Sequence, residues 1–112
     1  MKITVQFFRR GGLYTGFAVS GHDRAEADGQ YSVLRAAVSS AVQLTCNTLT
    51  ECFGVPVTAV SVRPAENMQN QIALRLETPD PVHSEIIRGL QIHMRLLCEE
   101  YGKAITVKTR GL

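Results

Sequence analysis

Between Asp80 and Gly102 the apolar side chains fall at Ile86, Ile87, Leu90, Met94, Leu97, Cys98 and Tyr101, a spacing that an α-helix gathers onto one side. Asp80 stands directly before Pro81. The acid is placed to cap the free amides, and proline, its φ already fixed, suits the first helical position. Gly102 predicts where the helix stops. A stripe of this length must be buried against something, and the preceding residues say what. In 71–77, Ile72, Leu74 and Leu76 alternate with Ala73, Arg75 and Glu77, which is a strand with one wet face. A helix has to lie on a sheet.

The same unit occurs earlier in the chain. Ile3, Val5 and Phe7 alternate with Lys2, Thr4 and Gln6 in residues 2–8. Gly11 and Gly12 then turn the chain, after Arg9 and Arg10, into a second strand over 13–20, with Phe17 and Val19 inward. From Ser32 to about Phe53 the period is helical, with Leu34, Val38, Ala41, Val42, Leu49 and Cys52 on its apolar side and small residues over much of the rest. Such a helix is buried on more than one side, either centrally or at a subunit interface. Ser32 is placed as its N-cap, and Gly54 ends it. A Val-rich strand over 57–63 follows, then a polar turn at 64–70. The last strand, 104–109, carries Ile105 and Val107. The order ββαββαβ, with a hairpin before each helix, predicts an α+β fold: a mainly antiparallel five-stranded sheet packed with two long helices, one domain over residues 1–112.

Several function classes fall away on composition. The N-terminus alternates and no long apolar run follows, so neither a signal peptide nor a membrane span is expected. Cys46, Cys52 and Cys98 are an odd number without CxxC spacing; they read as buried free thiols in a reducing compartment, which points to the cytoplasm. No spacing assembles a metal site, and no Gly-rich phosphate loop is present, so neither metal nor cofactor is expected. The net charge of +2 includes no long basic run, and direct nucleic-acid binding is not indicated. His83 falls in the first turn of the second helix. His93 falls at the edge of its stripe.

One constellation remains. Gly21-His22 opens a polar stretch to Tyr31 that contains Asp23, Arg24, Glu26, Asp28 and Gly29, and Arg35-Ala36-Ala37-Val38-Ser39 follows near the start of the first helix. Eleven residues is long for a connection in a compact domain, and such loops carry function. An imidazole brought to a helix N-terminus suits a Cys-His hydrolase, because free amides and the macrodipole stabilise a thiolate there.

The Gly-His pair and the Ala-Ala-Val-Ser run resemble the bacterial ribosomal-processing cysteine proteases, in which a cysteine opens that helix. The resemblance implies a small α+β fold, a homodimer, a bacterial cytoplasmic setting and trimming of the N-terminal extension of a large-subunit ribosomal protein. It maps one catalytic residue, His22, as the base; Gly21 and Gly29 are read as substrate-approach positions because glycine lets the backbone pass close. The nucleophile position falls on Arg35 when the Ala-Ala-Val-Ser run is the anchor, and on Leu34 when residues are counted from His22. Neither side chain can attack a carbonyl. Gln30-Tyr31-Ser32-Val33 also lacks the family's acid. The expectation is a degenerate protease whose cleft, bounded by the Gly21–Tyr31 loop and the first helix, still binds a peptide or ribosomal partner; Arg35 there suits a carboxylate. The alternative is an active peptidase using Ser32, for which no third triad member is evident.

Overall fold

The computed structural model describes residues 2–22, 29–62 and 69–111. Strands β1 (Ile3–Arg10) and β2 (Leu13–His22) precede helix α1 (Gly29–Asn47). Strands β3 (Val57–Val62) and β4 (Gln69–Leu76) precede helix α2 (Pro81–Tyr101), and β5 (Ile105–Gly111) ends the fold. The five strands form one sheet in the order β3-β4-β2-β1-β5. Three of its pairings are antiparallel, and β5 runs parallel to β1, with Ile105 beside Ile3. The α+β class, the element order and the mainly antiparallel sheet are as the sequence predicts.

Alternation places Ile3, Val5, Phe7, Phe17, Leu74, Leu76 and Ile105 on the buried face, where they meet Leu34, Val38, Val42 and Leu49 near α1 and Ile87, Leu90, Met94 and Leu97 of α2. Phe7 and Phe17 are fully enclosed, with centroids 6.2 Å apart. Burial of each such ring contributes about 2–3 kcal/mol. Ile72 departs from the expected pattern: near the sheet's β3 edge it is 39% exposed.

The first hairpin turns at Gly11 and Gly12, both at positive φ (58° and 82°), as a two-residue turn matched to strand twist requires. Beyond it the β1–β2 register slips between Phe8 and Arg9, so β2 carries an extra residue, Thr15. Gly16 follows this bulge, and a Cβ there would collide with the Leu74 carbonyl oxygen of β4. Beta-4 ends at Leu76, so beyond Gly16 the Tyr14 amide extends past it. The Ser84 hydroxyl of α2 accepts a hydrogen bond from that amide at 2.8 Å. One buried hydroxyl thus ties the first turn of α2 to the bulge.

Alpha-2 begins as read from the sequence. Asp80 accepts a hydrogen bond from the His83 amide at 2.9 Å, Pro81 follows it, and Gly102 closes the helix at φ 59°. Alpha-1 differs at both ends. It starts at Gly29, so Gly29 is helical and Ser32 lies in the first turn as an exposed residue, not at the N-cap. At its far end the chain widens into a π-helical turn, Thr48–Cys52. The hydroxyls of Thr45, Thr48 and Thr50 donate to the carbonyls of Ala41, Leu44 and Cys46. Such competition for carbonyls loosens the i→i−4 ladder. The widened turn carries Cys52 outward, so this thiol is exposed instead of belonging to the core.

Candidate functional site

Gly21 and His22 are not loop residues. They are the last two residues of β2, opposite Asn70 and Gln69 of β4. The strand delivers His22 in extended backbone, and α1 begins seven residues later at Gly29. Asp23, Arg24, Glu26 and Asp28, with most of the expected Gly21–Tyr31 loop, lie outside the described residues, as does the loop wall of the expected cleft.

Within α1 the two possible nucleophile positions differ in environment. Leu34 is fully buried, part of the core beneath the sheet. Arg35 is half-buried, in the second turn. Its backbone therefore lies one turn beyond the first free amides of the helix. Six residues of helix separate Gly29 from Arg35, about 9 Å at 1.5 Å per residue. Ser32 is exposed one turn earlier.

Cys46 lies eleven residues beyond Arg35 on the same helix, about 16 Å along the axis. Partial burial pushes its thiol pKa upward, away from the thiolate a nucleophile needs. Cys52 is on the widened turn beyond α1, and Cys98 is half-buried in α2, its sulfur 3.5 Å from the Ile105 carbonyl oxygen.

Another histidine–carboxylate pair stands at the start of α2. His83 Nδ1 lies 2.9 Å from Asp80 Oδ2. This approach is too far off line to satisfy the buried nitrogen by a hydrogen bond. Phe53 meets the His83 ring edge-on at 5.5 Å. The pair's evident work is capping. No cluster of three metal-binding side chains occurs among the described residues. A hollow of about 570 Å³ lies between α1 and α2, where Ala37, Ala41 and Leu44 face Ile86, Gly89 and His93. Neither Ser32 nor Arg35 lines it.

The family model described as cysteine protease Prp matches residues 2–106. The chain belongs to that family. Solved structures agree with the fold. A Streptococcus mutans protein, SMU.848, is 19% identical and superposes over 100% of both chains with a TM-score of 0.85. The ribosomal processing protease Prp of Staphylococcus aureus, bound covalently to a product peptide, is 17% identical. It covers 96% of this chain and 99% of its own, with a TM-score of 0.75. The same protease with a substrate peptide is 16% identical over the same shares, with a TM-score of 0.71. No curated protein matches the chain. The resemblance carried by Gly21-His22 and Ala36-Ala37-Val38-Ser39 points to the same family. Two structural roles had no sequence signal: Ser84 as the partner of a distant amide, and the exposure of Cys52.

Proposed function

We propose that this Prp-family chain has lost peptidase chemistry and keeps a cleft beside His22 and the start of α1, where it holds a peptide or ribosomal partner. One observation carries the reading: Leu34 and Arg35 occupy the two possible nucleophile positions, the first sealed in the core. An imidazole in that neighbourhood has no thiol to deprotonate, since Cys46 is about 16 Å farther along the helix. Binding survives such a change more readily than catalysis, because it does not require a reactive atom. Half-buried Arg35 and the backbone at Gly21 and Gly29 offer a carboxylate-bearing segment a cation and close approach. The Staphylococcus aureus relative was solved with a substrate peptide, which supports a peptide as the occupant and ribosome assembly as the setting. We place the protein, folded as one domain over residues 1–112, in the bacterial cytoplasm as a homodimer.

The test uses a peptide copying the N-terminal extension of the host's large-subunit ribosomal protein. Mass spectrometry after prolonged incubation should show intact peptide, while calorimetry shows binding that weakens on Arg35→Ala. Cleavage that disappears in His22→Ala would overturn the proposal and restore an active peptidase. Absence of binding would dispose of the cleft.

A further inference from the structure

The strands of this sheet contain no acidic residue. The chain has 10 Asp and Glu, yet none falls in β1, β2, β3, β4 or β5, which carry Arg9, Arg10, Arg75, Lys108 and Arg110. The register determines where four of these positive charges go. Arg75 pairs with Gly16, Gly16 with Phe8, and Phe8 with Arg110. Residues opposite one another in a sheet share a face, so this row crosses four strands on the side away from the helices. The next row in the same direction is Ala73, Ala18, Gln6 and Lys108. Alternation puts Arg10 on that side too, at the end of β1.

Phe8 is the aromatic of the face. It is half-buried, and it is absent from the side chains packed against the core. Gly16, itself buried, lies beside it on β2, and Arg110 lies beside it on β5. Gln6 lies in the next row of the face, and Thr4, Ser20 and Thr106 form the row beyond it, all half-buried neutral donors and acceptors. Lys108 and Arg110 are two residues apart on one strand, roughly 7 Å. At the turn end a further hollow of about 420 Å³ is lined by Arg9, Arg10, Gly11, Gly12, Thr109 and Gly111. Glu77, one residue past β4, is the nearest acid in sequence to this face among the described residues. None of Arg10, Arg75, Lys108 and Arg110 forms an ion pair among the described residues.

We propose that this open face is a docking surface for a single-stranded nucleic acid. The arrangement has the two parts such a strand needs. Cations spread over the face meet the phosphates, and a flat ring between them offers a surface on which an unpaired base can stack. An acidic peptide would use the cations and leave the ring idle. A duplex would keep its bases stacked on one another. The site lies across the sheet from both helices, and its Phe8 row crosses β2 at Gly16, six residues and roughly 20 Å along the strand from His22.

The experiment is fluorescence anisotropy with a 5′-labelled 15-nucleotide oligouridine, repeated with a double-stranded RNA of equal length and with polyglutamate. The single strand should bind best, with a log–log salt slope near −2 if Arg75, Lys108 and Arg110 each neutralise about one phosphate at roughly 0.7 per contact. Lys108→Glu with Arg110→Glu should weaken it at least tenfold and flatten the slope. Phe8→Leu, which keeps an apolar side chain but removes the flat ring, should weaken it about fivefold or more with the slope unchanged. Circular dichroism melts confirm that each variant is folded. Equal binding of duplex or polyglutamate, indifference to the charge reversals, or no binding at low salt overturns the proposal. So does failure of the oligouridine to bind because the protein self-associates through this face, seen as a sedimentation shift in the charge-reversed variant.

Discussion

Replacing Ser84 by alanine removes one oxygen from a sealed place. Ser84 is 4% exposed and Tyr14 is 8% exposed, so water does not readily take over the Tyr14 amide when the hydroxyl is gone. Past the end of β4 at Leu76, no strand among the described residues lies on that side of β2 to provide a carbonyl instead. An amide buried without a partner costs about 1–3 kcal/mol. For a two-state domain of this size, each kcal/mol corresponds to roughly 4 °C in the melting midpoint, so Ser84→Ala should melt about 4–12 °C lower. The assay is thermal unfolding by circular dichroism, with amide hydrogen exchange read at Tyr14. The midpoint should fall and the Tyr14 amide should lose protection ahead of its neighbours in β2. Arg88→Ala, one turn along the same helix, breaks only an exposed contact with Glu85 and should leave the midpoint unmoved. A midpoint for Ser84→Ala within about 1 °C of the parent, with Tyr14 still protected, would refute the idea that this hydroxyl anchors α2 to the bulge.

Leu34→Ala should cost about 2–5 kcal/mol by leaving a cavity beneath the sheet, measured by urea unfolding. A cost below about 1 kcal/mol would mean that position 34 is not core and could once have held a reactive group. The thiols should separate by reactivity with iodoacetamide at mildly alkaline pH. Exposed Cys52 should label first and Cys46 far more slowly, because burial both covers its sulfur and raises its pKa; peptide mass mapping over time gives the order.

The fold was legible wherever local periodicity and tertiary burial agree. The Ile86-to-Tyr101 stripe, with Asp80, Pro81 and Gly102 around it, gave α2 nearly to the residue, and alternation gave the strands. The beginning of α1 was misplaced by three residues because Ser32 is a good cap by type, and Gly29 and Gln30 have little helical signature of their own. The π-helical turn escaped because it depends on three hydroxyls competing for carbonyls, and periodicity does not register that. The cationic face was invisible for a different reason. Arg75 and Arg110 are 35 residues apart in the chain, and only the strand register brings them into one row with Phe8. Of the candidate site, the sequence supplied the family and the unreactive side chains at 34 and 35. The strand end that carries His22 needed the fold.

The parallel pairing of β1 with β5 has a consequence for how the chain is made. Ile3 and its neighbour Ile105 are separated by 102 positions in the sequence, so β1, made before the other strands of the sheet, acquires its flanking partner last. At translation speeds of 5–20 residues per second, that edge stays open for about 5–20 seconds. Throughout that interval Ile3, Val5 and Phe7 offer other nascent chains a template for intermolecular pairing. Overexpression should therefore strain this protein during synthesis more than its finished stability suggests.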